Sequence, residues 1–121
     1  MFGFQKLDVY RCATEFLSLS APLADRTPRG YHALADQLRR AALSIPLNIA
    51  EGSGKFERDA KRFYAIARGS ALECAAIIDA IEMVAKGTVM GREAEVGREQ
   101  EFERGRELLD RVVAMLTVMV R

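Results

Sequence analysis

The sequence predicts an all-α fold, an antiparallel up-down-up-down four-helix bundle formed by a single domain over residues 1–121. Apolar residues recur at steps of three and four in four successive segments, which is the spacing that gathers them on one side of a helix. Short stretches with glycine or proline separate these segments. Ala, Leu, Glu and Arg dominate the composition, and all four favour helix.

Two helices are predicted in the first half of the chain. The first spans about Lys6–Ala24, and we expect Pro22 to kink or end it because proline has no backbone N–H to donate. The second spans Tyr31–Glu51, with an expected kink at Pro46. Gly52 follows directly and is predicted to close this helix in the left-handed conformation.

Two longer helices are predicted in the second half. The third spans Glu57–Lys86 and contains an interior glycine, Gly69, which either allows a neighbouring helix backbone to approach closely or is simply tolerated. The fourth spans about Arg92–Val120. Its second half, residues 108–120, is apolar on nearly all sides, which predicts either deep burial or a contact between subunits.

The composition indicates a small cytoplasmic protein. Its formal net charge is +1, so the totals alone do not indicate a polyanionic partner. No apolar stretch approaches the roughly 20 residues that a membrane span needs, and charged residues interrupt the N-terminus before a signal peptide develops. Cys12 and Cys74 form no CxxC pair, and we expect them to be buried, reduced thiols.

The residue patterns of catalytic and metal sites are missing from the sequence. His32 is the only histidine, which excludes a histidine-rich metal site, and it lies at a predicted helix start where a surface or capping role is expected. The run Gly52-Ser53-Gly54-Lys55 departs from a phosphate-binding loop, because Ile49 occupies the place of the first glycine and Phe56 replaces Ser or Thr. We therefore expect no enzyme activity, no cofactor and no metal.

A small-molecule site would need polar groups that converge on a cavity. The sequence offers four candidates for such a site: Asn48, Glu51, Arg68 and Ser70. For Asn48 and Glu51 the preferred interpretation is structural, with bonds to backbone groups freed by Pro46 or to nearby arginine side chains.

Charge is distributed unevenly along the chain. Residues 39–68 contain seven basic and three acidic side chains, whereas residues 93–110 contain seven acidic side chains and three arginines. Three interpretations remain open: a basic surface that binds nucleic acid, oppositely charged segments that meet across helices or subunits, and an ordinary solvated surface. The candidate nucleic-acid-binding residues are Arg39, Arg40, Lys55, Arg58, Lys61, Arg62 and Arg68.

Three blocks of sequence resemble a known family. They are residues 6–10 (KLDVY); residues 36–42 (DQLRRAA), 44–46 (SIP) and 48–52 (NIAEG); and Phe63 with residues 66–70 (IARGS) and Glu73. In these blocks the chain is similar to the four-helix bundle proteins encoded by intervening sequences in bacterial 23S rRNA genes. The resemblance covers about residues 6–85, and the closing helix matches in character only.

The resemblance implies a four-helix bundle that assembles as a homopentamer and has no enzymatic activity. It also implies similarity to the accessory proteins of diversity-generating retroelements, which are pentameric and basic and bind nucleic acid beside a reverse transcriptase. The partners so implied are copies of the chain itself, RNA or DNA, and a reverse transcriptase or another protein. The motif positions expected to have structural roles are Pro46, Asn48, Glu51, Gly52, Gly69 and Ser70.

Two functional hypotheses follow. In the first, the protein is a non-enzymatic oligomeric bundle whose basic segment contacts the phosphates of RNA or DNA. In the second, it is a structural or protein-interaction scaffold without nucleic-acid binding, in which the segregation of charge serves subunit pairing.

Overall fold

Helices make up most of the chain. The computed structural model describes residues 2–87 and 95–121, with the side chains of residues 95–98 excepted. A short 3₁₀ helix precedes four α-helices, whose bounds are Gly3–Lys6 for the 3₁₀ helix, Asp8–Asp25 for α1, His32–Ser53 for α2, Glu57–Lys86 for α3 and Glu95–Met119 for α4. The described residues contain no strand, so the prediction of an all-α fold with four helices is confirmed.

The bounds of α1, α2 and α3 agree closely with the predicted ones. Helix α1 continues through Pro22 and ends at Asp25, and the loop that follows contains Gly30 with a φ of 97°, which glycine adopts without steric cost. Helix α4 ends at Met119, close to the predicted end, whereas its predicted start at Arg92 lies outside the described residues.

Gly52 does not close α2 in a left-handed conformation, and that prediction is wrong. It lies inside the helix, which ends one residue later at Ser53, and it is buried. A Cβ atom on Gly52 would lie 2.7 Å from Cε1 of Tyr64 and 3.1 Å from Cβ of Phe63. Gly52 is therefore required for the close packing of α2 against α3, a contact that the local sequence around the turn does not reveal.

Gly69 does not lie at a close contact between the described helices of this chain. It lies within α3, is exposed, and has no atom of a neighbouring helix within 4 Å of the position that a Cβ would take. Of the two alternatives predicted for Gly69, close approach of a neighbouring helix backbone is therefore not found within the described part of this chain.

Each helix packs against two neighbours, in the pairs α1–α2, α2–α3, α3–α4 and α1–α4. Between α2 and α3 the contacts run in opposite order along the two helices: Gln37 meets Glu73 while Ser44 meets Ser70. The side chains between the helices form one core, and burial of each large one stabilises the fold by roughly 1.5–3 kcal/mol. The largest fully buried side chains are Phe16, Leu23, Leu38, Ile45, Ile49, Ile78, Ile81, Phe102, Leu108, Leu109, Val112 and Leu116.

The apolar second half of α4 contributes several side chains to the core of the bundle. Leu108, Leu109, Val112 and Leu116 are fully or almost fully buried in the core. Val118, by contrast, is exposed. Of the two alternatives predicted for this segment, deep burial accounts for these four side chains, whereas the other large apolar ones are only partly buried: Val113, Met115, Met119 and Val120.

Both cysteines are free and buried, as expected. Burial raises the pKa of the Cys74 thiol to about 12, because the thiolate would lose its hydration in the core. None of the helices in the described part of the chain has an apolar run long enough to cross a lipid bilayer.

Candidate nucleic-acid interface

The structure divides the seven basic candidates into three groups. Lys55, Arg58, Lys61 and Arg62 lie together on the α2–α3 turn and the first two turns of α3, and we call these four residues the basic tip. Arg39 and Arg40 lie farther back on α2, with Arg40 about 20 Å from the end of that helix at a rise of 1.5 Å per residue. Arg68 lies two turns farther along α3.

The basic tip contains both paired and unpaired cations. The Lys55 ammonium is 3.5 Å from a carboxylate oxygen of Glu51, and the Lys61 ammonium is 3.8 Å from one of Glu57. Both pairs join residues four apart on the surface, where such contacts contribute only a few tenths of a kcal/mol. Arg58 and Arg62 are exposed, and no carboxylate among the described residues lies within ion-pair distance of either.

The other three candidates are arranged differently. The Arg39 guanidinium lies 3.3 Å from Asp36 and 3.7 Å from Asp25 at the end of α1. Arg68 is half-buried, and its Nε donates a 2.9 Å hydrogen bond to the Thr117 hydroxyl of α4. Arg40 is exposed on α2, away from the tip. Arg68 thus contributes to the contact between α3 and α4. Among the seven candidates, the four residues of the basic tip form the local cluster.

Two arginines of the acidic segment, Arg104 and Arg106, form ion pairs across the bundle. Arg106 of α4 lies 2.7 Å from Asp79 and 3.2 Å from Glu82 of α3. Arg104 lies 2.6 Å from Glu15 of α1. Among the described residues, no ion pair joins the acidic segment to the basic residues 39–68, so the interpretation in which these two segments meet gains no support from that part of the chain.

Arg26, which directly follows α1, forms a further ion pair with Glu101 of α4. Nε and Nη2 of Arg26 donate to the two carboxylate oxygens of Glu101 at 3.1 and 3.0 Å. This two-pronged hydrogen bond raises the pKa of Arg26. Glu93, Glu95 and Arg98, which belong to the same predicted acidic segment, lie outside the residues whose side chains are described.

Of the four polar candidates for a small-molecule site, Asn48 and Ser70 share Ser44 as a hydrogen-bond partner, whereas Glu51 and Arg68 lie apart from them. The hydroxyls of Ser44 and Ser70 are hydrogen-bonded at 2.9 Å, and the Asn48 amide donates to the backbone and side-chain oxygens of Ser44 at 2.8 and 3.0 Å. Glu51 is exposed beside Lys55, while Arg68 faces α4. Asn48 therefore bonds to Ser44 rather than to a backbone group freed by Pro46 or to an arginine.

Two exposed aromatic side chains at the tip end of the bundle are absent from the predicted site. Phe56, between Lys55 and the first residue of α3, is 93% exposed. Phe2, in the N-terminal segment, is 73% exposed and lines a shallow groove together with Ser53 and Gly54 of the α2–α3 turn. The sequence signal for Phe56 is an aromatic residue with cations on both sides in a polar turn, which indicates an exposed ring.

An exposed apolar surface runs along α3. We call it the α3 outer face and define it as Ala65, Gly69, Leu72, Ala76 and Met83, all of which are exposed. Their spacing of four, three, four and seven residues places them on one side of the helix. Leu72 is 46% and Met83 70% exposed. Asp79, which pairs with Arg106, lies on the same side of the helix between Ala76 and Met83, so the continuous apolar part of the face runs from Ala65 to Ala76.

A family model confirms the relationship that the sequence blocks suggested. Residues 5–118 match the model of the 23S rRNA-intervening sequence protein family. The chain belongs to this family. The match extends through α4, beyond the residues 6–85 in which the blocks were found. No curated protein has a sequence that matches this chain.

Proposed function

We propose that this member of the 23S rRNA-intervening sequence family is a non-enzymatic, homo-oligomeric, up-down-up-down four-helix bundle that binds RNA or DNA through its basic tip. The observation that carries the proposal is the pair Arg58 and Arg62, two exposed guanidinium groups without a carboxylate partner in the described chain, next to Lys55 and Lys61. Such a cluster suits phosphate groups, because arginine presents several donors in a fixed plane.

The separation of charge along the bundle supports this proposal. Asp79, which binds Arg106 of the acidic segment, lies 21 residues after Arg58 on the same helix, or about 30 Å away. At that distance the carboxylates are screened from the tip at physiological ionic strength, where the Debye length is about 8 Å. Three carboxylates lie at the tip itself: Glu51, Glu57 and Asp59. The first two pair with the lysines, so the attraction for a polyanion comes from Arg58 and Arg62, whose charge Asp59 partly offsets.

The decisive experiment measures binding of the purified protein to labelled single-stranded and duplex RNA and DNA across a salt series. We expect binding that weakens steeply with salt, because each neutralised phosphate releases counterions. The Arg58→Glu/Arg62→Glu double variant should bind at least about tenfold more weakly at low salt and show a logarithmic salt slope shallower by about 1.5–2.

A matched control distinguishes an effect of the basic tip from an effect of the total charge of the protein. Arg29→Glu/Arg111→Glu makes the same change in net charge at two exposed arginines away from the tip. It should retain most of the binding. Equal losses in the two double variants would reject the tip as the binding surface, and a wild-type protein that binds no nucleic acid at low salt would reject the function.

The α3 outer face supports the oligomeric part of the proposal. The face combines exposed apolar side chains with Gly69, above which no atom of this chain lies within 4 Å of a Cβ position. A second copy of the chain would find both apolar area to bury and room for close helix approach there. We propose that copies meet through this face and, following the family resemblance, that five copies form the assembly.

Native mass spectrometry tests the assembly and its location. Leu72→Glu/Ala76→Glu places two charges on the α3 outer face and should reduce a pentameric mass to that of the monomer. Ala114→Glu/Val118→Glu makes the same change, with the same spacing, at exposed positions of α4 and should leave the mass unchanged. The reverse result would move the contact to the last helix, and a monomeric wild type would reject the oligomer.

The alternative function is a protein-interaction scaffold, which the same α3 outer face favours. An assembly that persists while nucleic acid has no effect would identify this alternative. The resemblance to retroelement accessory proteins makes a reverse transcriptase a candidate partner for either function. Two free, buried thiols are typical of a reducing compartment and support the cytoplasm as the location.

A further inference from the structure

Phe56 is the most exposed large apolar side chain among the described residues. At 93% exposure its ring contributes almost nothing to the core, so the fold gives no account of it. Tyr31, at the start of α2 and the opposite end of the bundle, is 44% exposed by comparison. The ring is available for contact with another molecule.

The backbone that carries Phe56 is well determined by hydrogen bonds. Phe56 is extended, with φ −72° and ψ 159°, and its carbonyl oxygen accepts the N–H of Ala60 at 2.8 Å in the first turn of α3. One residue earlier, the N–H of Lys55 donates to the carbonyl oxygen of Gly52 at 3.0 Å. The ring thus projects from an ordered position between Lys55 and Arg58, so little backbone freedom is lost when a ligand binds.

Phe2 supplies a second aromatic surface at the same end of the bundle. Its ring stacks on Phe4 with a centroid distance of 5.7 Å and an angle of 8°, and Phe4 in turn contacts Tyr10 edge-on at 5.0 Å. The backbone N–H of Phe2 donates to the Gln5 side chain at 2.7 Å. With one face against Phe4 and 73% of the residue exposed, the other face of the Phe2 ring is open to solvent.

We infer that the ligand of the basic tip is single-stranded RNA or DNA, with Phe56 and Phe2 stacking on unpaired bases while Arg58 and Arg62 bind the phosphates. This inference rests on the proposed function of the tip. Exposed aromatic rings beside cations are the combination by which proteins hold single strands, since every base has a flat face that can stack. In a duplex those faces are covered by neighbouring base pairs, and only the phosphates remain accessible to the tip.

Alanine substitution of Phe56 tests the inference by comparing two ligands on one variant. Phe56→Ala should weaken binding of a single-stranded oligonucleotide by roughly 5- to 150-fold, the range expected for loss of one stacked base. Binding of the same sequence as a duplex should change less than about twofold. The matched control is Tyr31→Ala, which removes an exposed aromatic ring at the other end and should alter neither ligand's affinity.

Tryptophan substitution gives a direct readout of stacking. The chain contains no Trp, so Phe56→Trp places its sole indole on the tip. Single-stranded oligonucleotide should quench the fluorescence of this indole, and duplex should quench it weakly. The fluorescence of Tyr31→Trp should be unaffected by either ligand. Parallel titrations with RNA and DNA of the same sequence determine which of the two the tip prefers.

The outcomes distinguish this inference from the proposed function. If Phe56→Ala leaves single-strand binding intact, or weakens single-strand and duplex binding equally, stacking is rejected. A loss of binding in Arg58→Glu/Arg62→Glu would still uphold the proposed function in that case. If the wild-type protein binds no nucleic acid at all, both the function and the inference are rejected.

Discussion

The basic tip and the acidic half of α4 both contain arginines, but the two regions use them in opposite ways. In α4, Arg104 and Arg106 bind carboxylates of neighbouring helices at 2.6–3.2 Å. At the tip, Arg58 and Arg62 have no such partner among the described residues. Cations that pair across helices orient the bundle, whereas cations without a partner remain available to an external anion. The contacts of an arginine, rather than its position in a charged run, therefore separate the two roles.

The largest expected effect concerns the core that joins the two regions. Cys74 lies in the middle of α3, and burial raises its pKa from 9.0 to about 12. Between these values the unfolded thiol ionises while the folded one stays neutral, so the free energy of unfolding should fall by about 1.4 kcal/mol per pH unit. Urea unfolding at pH 8 and pH 11 should show a loss of about 2–3 kcal/mol from this group.

The Cys74→Ala variant is the control for this pH dependence. It retains all the lysines and tyrosines that titrate in the same range, but it has no buried thiol at position 74. Its stability should fall less between pH 8 and pH 11 than that of the wild type. Identical losses in the two proteins would show that the Cys74 thiol contributes nothing to alkaline unfolding.

The next effect on stability concerns the close contact between α2 and α3 beside the basic tip. Gly52→Ala should destabilise the fold by about 1–3 kcal/mol, because the new Cβ would lie 2.7 Å from the ring of Tyr64 and force α2 away from α3. Gly69→Ala is the matched control, since its Cβ meets no atom of this chain. Measured on dilute protein, it should stabilise α3 by about 0.5–1 kcal/mol. Changes of the same sign in both variants would contradict this difference in packing.

The smallest effect compares the two kinds of arginine directly. Arg106→Ala should lower the free energy of unfolding by about 1 kcal/mol, because it removes the ion pairs to Asp79 and Glu82. Arg58→Ala should change it by less than about 0.5 kcal/mol, as expected for a surface residue without partners. Chemical denaturation of both variants provides the test. A larger loss for Arg58→Ala would show that the tip arginines also serve the fold.

Parts of this molecule were predictable because they depend on local spacing. The periodicity of apolar residues predicted Glu57–Lys86 as one helix, and those are the observed bounds of α3. The charge count along the chain predicted a basic segment that includes Lys55, Arg58, Lys61 and Arg62. It did not predict that Arg68 faces α4, because each residue of a helix is rotated by about 100° from the one before it, and side chains close in sequence therefore lie on different faces.

The role of each glycine could not be predicted in the same way. Gly52 stands at the end of an apolar stripe and before a polar turn, which is also the pattern of a helix-ending glycine. Whether it ends the helix or admits a neighbour depends on Tyr64 and Phe63, twelve and eleven residues later in the sequence. The position of Phe56 between cations in a polar turn is visible in the sequence, but the extent of its exposure is a property of the packed molecule.

The helix class, the approximate helix bounds, the buried thiols and the family could all be predicted from the sequence, since they follow from local periodicity and short motifs. The packing of the helices was needed to show which cations are paired, which glycine lies in a helix contact, and that Phe56 and the α3 outer face are exposed. These properties depend on which residues meet across helices, and the spacing within one helix does not specify the face that its neighbour covers.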